Sequence, residues 1–422
     1  MENEKTYPRF TKDMISTHTI LIPSMLPIHF DLFDGILKAE GFKTEIMQNN
    51  GPEVIEEGLK YVHNDACYPA LLVIGQFIDN LNHRDDTHNV VLLITQSGGG
   101  CRASNYIHLL RKALEKAGYD YIPVVSLNIS SLEKDSAFTL TKKLVLKLAA
   151  ALVYGDQMMY LYNKVRSYEK YKGDALKVVK KWEDIILNKF KKNSGTSYFS
   201  IKKTLNAIAL DFDKVEIIKE AKPKVGVVGE IYIKYAALGN NDLENLLISE
   251  GAEIWVPGLF GYILYCLYNI LYDDEYYGGI KKKTKRLCKL VIWYVDKLEG
   301  LIIKSIKKTK YSPMGKFKHT KDLSTGILDH GVKMGEGWLL TAEMMELIES
   351  GFGNIVCAQP FGCLPNHICG KGVIRKIKEA YQDANITPID YDPSATRVNQ
   401  ENRIKLMLSI AKENLDKKNI KL

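Results

Sequence analysis

Short apolar segments that alternate with helical patterns are the feature of this sequence that most restricts its fold. The segment HNVVLLITQ, residues 88–96, is an apolar run of strand length, and an amphipathic helical pattern follows it from Arg102 to Gly118. A similar apolar run at Lys224–Val228 restarts this alternation after a helical stretch. Such alternation is typical of parallel sheets covered by helices. We therefore predict an α/β fold with two doubly wound parallel-sheet domains, flavodoxin- or Rossmann-like, with helical insertions.

The same alternation divides the chain into regions. A length of 422 residues corresponds to two or three domains. We predict a lead over residues 1–15, a first α/β domain over 16–135, a helical region over 136–222 and a second α/β domain over 223–422 with a helical insertion at 260–345. Asn399 is predicted to cap the closing helix.

Charge and hydropathy restrict the partners of the chain. The net charge is +8, with lysine-rich runs at Lys281–Arg286 and Lys304–Lys321. These runs lack aromatic residues interleaved with base-reading residues, and they lack a known nucleic-acid module, so they favour a solvated helical face or a docking surface for an acidic protein. No run of 18 apolar residues predicts a membrane helix, and the first residues do not have a signal-peptide pattern. We expect a cytoplasmic protein with reduced thiols and with neither nucleic acid nor membrane as a partner.

The seven cysteines fall into two groups. Cys266 and Cys288 lie in helical apolar patterns and are predicted to be packed thiols. The others lie in or beside loops rich in Gly and Pro, and they are Cys67, Cys101, Cys357, Cys363 and Cys369. Their spacing alone is weak evidence for a metal site, because no compact C-x-x-C pair occurs. Buried thiols and a metal site both remain open at this point.

Several unusual loops follow predicted strands. In open α/β sheets, ligands bind beyond the carboxyl ends of the strands. The loop Ser97–Cys101 and the loop that contains Cys363 both lie there, and each cysteine is predicted at a helix N-terminus, which favours a thiolate. The glycines Gly98, Gly99 and Gly100 permit close approach of the backbone to a ligand, and they match neither a dinucleotide-binding motif nor a P-loop. His367 is either a ligand or a loop histidine that caps the local backbone.

Long motifs distributed from about His18 to the C-terminus resemble one family. It is the family of acyl-CoA dehydratase activase-related proteins, which are relatives of the cluster-bearing component of 2-hydroxyacyl-CoA dehydratases. The motifs are GPEVIEEGLKYVHNDACYPALLVIGQFID, TQSGGGCRASNYIHLLRKALEKAG, KVGVVGEIYIKYAALGNNDLE, MGEGWLLTAEM and CAQPFGCLPNHICGKGVIRKIKE, followed by IDYDPSATRVNQENR.

The resemblance implies an iron–sulfur protein that works with a separate ATP-dependent activase. In this family, an activase of the ASKHA type with its own cluster delivers a low-potential electron to the cluster of the dehydratase-like component. The substrate is an acyl-CoA or, in relatives with a fused 8Fe-9S double cubane, a small molecule. A 4Fe-4S cluster is the first expectation for this chain. No ATPase signature is visible in the sequence, and a dimer is possible.

The resemblance also implies which residues form the site. Cys67, Cys101 and Cys363 match ligand positions, Cys357 is expected as a fourth ligand, and Cys369 is not assigned. Glu230 or His367 is expected to donate a proton. Lys234, Asn240 and Asn241, together with the three glycines, are expected to line the site. An enzyme, a non-catalytic electron carrier and a zinc-stabilised binding protein are the hypotheses left to distinguish.

Overall fold

Two four-stranded parallel sheets form the framework of the computed structural model, which describes residues 7–63, 65–96, 100–128, 137–138 and 140–420. The first sheet has the order β2-β1-β3-β4 and the second the order β6-β5-β7-β8. The strands are β1 (Thr19–Ile22), β2 (Lys43–Ile46), β3 (Val90–Gln96), β4 (Val124–Asn128), β5 (Lys224–Gly229), β6 (Glu253–Trp255), β7 (Asn354–Pro360) and β8 (Asn385–Tyr391). The predicted α/β class with two doubly wound parallel sheets is confirmed.

Helices flank both sheets. The helices of the first sheet domain are α1 (Pro27–Ala39), α2 (Pro52–Tyr61), α3 (Tyr68–Asn82) and α4 (Tyr106–Ala117), and α5 (Lys142–Arg166), α6 (Asp174–Lys191) and α7 (Tyr198–Asp213) follow. The remaining described helices are α8 (Ile231–Tyr235), α9 (Ala237–Asn240), α10 (Leu243–Ser249), α11 (Leu259–Tyr276), α12 (Lys282–Ile306), α13 (Phe317–Leu323), α14 (Gly337–Glu349), α15 (Leu364–Asn366), α16 (Ile374–Ala380) and α17 (Arg397–Ile420).

Local sequence explains where these elements begin and end. The apolar run of β3 is buried over its first five residues because the strand is central and covered on both faces. Helix α4 ends at Gly118, which adopts φ = +81°, a conformation that favours glycine. Helix α17 begins at Arg397, so Asn399 lies within its first turn and does not cap it. That prediction was wrong because the helical pattern extends two residues further towards the N-terminus.

Helix α5 joins the two sheet domains. Its Asp156 accepts a hydrogen bond from the Leu259 amide, at 3.0 Å, and lies 2.7 Å from Nε2 of His29 in the first domain. Its Lys164 forms a buried ion pair with Glu253 of β6, at 2.8 Å. Among the described helices, only α5 is long and apolar enough to cross a membrane, and 72% of its most apolar window is buried inside the protein. A helix buried in this way is consistent with a soluble protein.

Candidate functional site

Three cysteines lie where helical segments begin at the carboxyl edges of the two sheets. Cys67 is the N-cap residue of α3, which leads back to the start of β3. Cys101 precedes the 3-10 turn Arg102–Asn105 that runs into α4. Cys363 is the N-cap residue of α15 after β7. The predicted position of Cys101 and Cys363 at helix N-termini is confirmed, and backbone N–H groups there favour negative charge on sulfur.

The backbone of the two domains meets beside these cysteines. The Tyr68 amide donates a hydrogen bond to the Phe361 carbonyl, at 3.0 Å. Gly362 adopts φ = +73°, and a Cβ atom there would lie 3.2 Å from Cα of Cys67. A side chain at position 362 would therefore be strained and would press on the start of α3. Glycine allows the Cys363 loop to lie directly against Cys67.

Electrostatic interactions connect the three thiols. Burial raises the pKa of Cys67 to about 11, and Cys101 and Glu230 add to that rise. Burial also raises the pKa of Cys363, and Glu230, Glu336 and Cys67 act on it in the same direction. Without a cation the thiols of Cys67 and Cys363 are neutral at physiological pH. A bound metal centre would favour the thiolates and release their protons, so the binding of metal should depend on pH.

A tyrosine supports the first of these cysteines. The Tyr106 hydroxyl lies 3.1 Å from Sγ of Cys67, and both side chains are buried. This contact lowers the pKa of the Cys67 thiol, against the effect of burial. Tyr106 opens α4, so the helix that follows Cys101 also supplies a hydrogen-bond donor to Cys67. Sequence reasoning did not identify Tyr106, since a tyrosine in an amphipathic helix resembles any other core residue.

The two glutamates that raise the pKa values of these cysteines come from the second domain. Glu230 follows β5, and its Oε2 accepts a hydrogen bond from the Ile233 amide, at 2.9 Å. Glu336 precedes α14, and its Oε1 accepts one from the Ile231 amide, at 2.8 Å. Burial raises the pKa of both carboxyls, and Glu336 further raises that of Glu230. The pair therefore tends to keep a proton that an exposed carboxyl would lose.

Glu336 occupies a position in the second domain that matches Cys67 in the first. Both sheets have the same strand order, and each residue is the N-cap of the helix before the third strand of its sheet. Sequence reasoning did not assign Glu336 to the site. The flanking glycines were the available signal, because Gly335 and Gly337 both adopt positive φ, at +59° and +45°. A Gly-Glu-Gly segment of this kind fixes the carboxyl at a tight turn.

Three residues that were predicted to line the site form contacts within the second domain. Lys234 forms a buried ion pair with Glu343 of α14, at 3.3 Å. Asn240 donates a hydrogen bond to the Ile233 carbonyl, at 2.7 Å, and Asn241 donates one to Gln400, also at 2.7 Å. These contacts hold the segment after Glu230 in place.

The glycine loop after β3 is described only at its end. Gly98 and Gly99 lie outside the described residues. At Gly100, an added Cβ would lie 2.4 Å from the sulfur of Met334, two residues before Glu336. Glycine at this position therefore permits the Cys101 loop to approach the segment that carries Glu336.

The surroundings of Cys357, Cys369 and His367 differ from those of the three N-cap cysteines. Cys357 lies in the middle of β7, opposite Val228 and Pro388, and is fully buried. Its pKa is raised to about 12, first by burial, and the other groups that act on it are Gln359, Asp390 and Lys371. Cys369 is buried in the π-helical segment His367–Lys371. His367 starts this segment, and its amide donates to the Cys363 carbonyl, at 3.1 Å.

The donor set decides what kind of metal group could be held. Within the described part of the chain, no three His, Cys, Asp or Glu side chains are close enough to hold a single metal ion. Structural zinc needs its sulfur ligands at about 2.3 Å from one centre. A cluster of several irons instead binds thiolates at its corners, so its ligands are more widely spaced. Cys67, which is buried, and Cys101 and Cys363, which are partly exposed, come from both domains and are the thiols that could hold such a cluster.

A small cavity of about 60 Å³ lies deeper in the second domain and is lined by three glutamates, Glu299, Glu343 and Glu346. Burial raises the pKa of Glu299 and of Glu346 to about 7 each. Glu343 raises the pKa values of both Glu346 in the cavity wall and Glu336 at the site, so it couples the two regions electrostatically. The carboxyls are thus protonated over part of the neutral range.

This arrangement predicts how stability depends on pH. The folded chain holds protons on Glu299 and Glu346 that the unfolded chain releases near the ordinary value of 4.5. Stability should therefore fall as pH rises from about 5 to 8. Glu346→Gln removes one ionisation and should be more stable than the unmodified chain at pH 8, by up to about 3 kcal/mol, and nearly equal at pH 5. Urea unfolding at both pH values measures this difference.

Glu379→Gln is the matched control, because Glu379 is half exposed and paired with Arg375 at the surface. It should leave the pH dependence unchanged. A Glu346→Gln effect of equal size at pH 5 and pH 8 would show that the carboxyl does not titrate in this range.

No protein-family model matches the chain, and no curated protein matches its sequence.

Proposed function

We propose that this protein is a cytoplasmic iron–sulfur component of the 2-hydroxyacyl-CoA dehydratase-like class. It accepts low-potential electrons from a separate ATP-dependent activase and reduces an acyl-CoA or small-molecule substrate. The observation that carries the proposal is the interaction of Cys67, Cys101 and Cys363, from both sheet domains, beside Glu230 and Glu336. The resemblance of its motifs to that class gives the reaction.

Cys67, Cys101 and Cys363 would hold the cluster, most simply a 4Fe-4S cubane. When bound, it would supply an electron at low potential and, with three cysteine ligands, an iron open to substrate. The chain provides the surroundings that tune this chemistry. The Ala70 amide at the start of α3 and the Tyr106 hydroxyl donate to the Cys67 thiolate, and burial shields the Cys67 sulfur from water.

Glu230 and Glu336 would hold the proton that a reduction consumes. One oxygen of each carboxyl accepts a backbone hydrogen bond, Oε2 of Glu230 and Oε1 of Glu336. These hydrogen bonds fix the orientation of both carboxyls. Their raised pKa values keep a proton available near neutral pH, as general acid catalysis requires.

A non-catalytic electron carrier is the second candidate function. The cavity lined by Glu299, Glu343 and Glu346 has none of the three cysteines in its wall. A carrier needs no substrate cavity beside its cluster, whereas an enzyme does. Adding an acyl-CoA thioester to the reduced protein distinguishes the two, because substrate binding at an open iron should alter the EPR spectrum. A spectrum unchanged by a panel of acyl-CoA thioesters would favour the carrier.

Helix α12 offers a surface for the activase. Its exposed side combines basic residues with large apolar ones that are more than half exposed, Leu287, Leu290 and Trp293. The basic residues Lys283, Arg286 and Lys289 lie on the same helix and are exposed. An apolar centre with a basic rim suits an acidic protein partner, because opposite charge speeds association and apolar burial prolongs it.

Reversing the charge of this surface should slow docking. The triple variant Lys283→Glu, Arg286→Glu and Lys289→Glu is expected to lower the association rate for a purified activase of this class by about 10- to 100-fold at low salt. Stopped-flow electron transfer and biolayer interferometry measure it. Lys412→Glu on α17 is the control, and it should have little effect. Unchanged electron transfer in the triple variant would exclude α12 as the docking surface.

A further inference from the structure

A larger cavity, of about 260 Å³, lies where three parts of the molecule meet. Its wall includes His29 of α1, Asn163 of α5 and Glu183 of α6. Tyr235 and Asn240 of the second domain complete it. The cavity is thus lined by the first sheet domain, the helical region and the second sheet domain together. A cavity of 150 Å³ accommodates benzene, so this one is large enough for a bicyclic heterocycle.

The wall carries buried polar atoms that no protein group satisfies. Asn163 is 2% exposed and its amide interacts with the Glu244 carboxylate, but within the described residues neither amide atom makes a well-aligned hydrogen bond. His29 is fully buried, and its Nδ1 also lacks a partner, although its Nε2 lies 2.7 Å from Asp156. Oε1 of Glu183 is unpartnered too. Buried polar groups are normally hydrogen-bonded, so unsatisfied atoms on several side chains around one cavity point to a bound molecule.

The charges of the wall restrict what that molecule is. Arg166 is paired with Glu244, and Lys180 forms ion pairs with Asp31, at 2.7 Å, and with Glu183, at 2.8 Å. Asp242 also lines the cavity. Both cations are therefore paired with carboxylates, which disfavours a phosphate or a carboxylate, and among the described residues Nε of Arg166 remains a buried donor without a partner. The ligand is neutral or carries one positive charge.

Asn163 provides a donor and an acceptor side by side. An asparagine amide of this kind can pair with the N6 and N7 edge of adenine through two hydrogen bonds. Apolar side chains of Met159, Leu176 and Val179 line the same cavity and suit a flat ring. Glu183 Oε1 and His29 Nδ1 offer acceptors for hydroxyl groups, as a ribose would present.

We propose that this cavity binds a neutral purine nucleoside, with Asn163 paired to the edge of the base. The site is separate from the three cysteines. Tyr235 lies at the end of α8, whose N-cap is Glu230, so a bound nucleoside would rest on the helix that carries the proton-holding carboxyl. Because the ligand would contact all three parts of the molecule, it should also stabilise their packing.

Isothermal titration calorimetry with adenosine tests the site on the full chain. Adenosine is expected to bind with Kd below about 100 μM and to raise the Tm. AMP should bind at least about tenfold more weakly because its phosphate finds no uncompensated cation. Asn163→Leu has a similar shape and should weaken adenosine at least about tenfold while leaving the fold intact, since it removes an unsatisfied buried amide.

Asn206→Leu, at a partly exposed position of α7 outside the cavity wall, is the control and should bind adenosine as the unmodified chain does. If Asn163→Leu does not fold, Leu176→Trp, which fills the cavity from a partly exposed wall position, must abolish binding. Absence of adenosine binding at 1 mM, or equal binding by the cavity variants, would overturn the proposal. Equal affinity for AMP and adenosine would overturn the assignment of a neutral ligand.

Discussion

Replacing Cys67 or Cys363 by alanine will remove most of the iron from the anaerobically purified protein, whereas replacing Cys288 will not. The first two thiols come from opposite sheet domains and lie at the same site. With three cysteine ligands, the loss of one leaves two corners of a cubane without thiolate. We expect less than about one fifth of the unmodified iron content, because removal of ligands is the most severe change at a metal site. Iron assay and visible absorption measure the loss.

Two further variants complete this experiment, a packing control at Cys288 and a test of Cys357 as a ligand. Cys288 is buried in α12, where its thiol lies 3.4 Å from the Leu267 carbonyl, so Cys288→Ala tests for general damage to packing. Cys357→Ala separates three ligands from four. Full iron content in Cys357→Ala would indicate three cysteine ligands and an open iron, and loss of iron would add Cys357 to the ligands. Full iron content in both Cys67→Ala and Cys363→Ala would contradict the proposed site.

Loss of the cluster should loosen the molecule without unfolding it. The cluster would tie the two sheet domains, but α5 also ties them through Asp156 and through Lys164. The cysteine variants should therefore keep their helical circular dichroism while their Tm falls. Limited proteolysis should become faster at the Cys363 loop, where the Tyr68–Phe361 hydrogen bond joins the domains.

Replacing Lys234 by methionine will destabilise the protein by about 3–5 kcal/mol at pH 8, because it leaves the buried carboxylate of Glu343 without its partner. Burial already raises the pKa of Glu343 while Lys234 opposes that rise. Without Lys234, the carboxyl can take up a proton, so the loss should be smaller at pH 5. Urea unfolding at both pH values measures the change.

A second substitution tests whether the pair itself is responsible. Lys234→Met combined with Glu343→Gln removes both charges and should recover most of the lost stability. Iron content should stay near that of the unmodified chain in the double variant if Lys234 only positions α8. A single Lys234→Met variant with unchanged stability at pH 8 would contradict the buried ion pair. Iron lost from the double variant, with stability restored, would show that Lys234 acts on the site directly.

Local patterns predicted the fold and part of the site. The strands were identifiable because each is a short apolar run, and Cys101 and Cys363 were identifiable at helix starts because a glycine or proline loop separates each from its strand. The contact of Tyr106 with Cys67 was not visible, since it joins residues 39 apart in the chain. Asn241 was taken from its motif as a lining residue, but it bonds to Gln400, a long-range contact that no local pattern encodes.

The nucleoside cavity was invisible to sequence reasoning for the same reason. His29, Asn163 and Glu183 lie on three helices, and each reads locally as a polar residue within an amphipathic pattern. Only the packing of α1 against α5 and α6 shows that they are buried and that each keeps an unsatisfied polar atom. Glu336 was predictable only in part. Its flanking glycines indicate a tight turn, but they do not indicate that its carboxyl accepts a hydrogen bond from the Ile231 amide.

The most direct test of the central claim is the iron and acid-labile sulfide content per chain of anaerobically purified protein, with EPR of the reduced form. The account predicts about four irons and four sulfides and the signal of a reduced cubane. About eight irons would indicate the double cubane and a small-molecule substrate. Protein that carries zinc, or that binds no iron and sulfide after anaerobic reconstitution, would contradict the account.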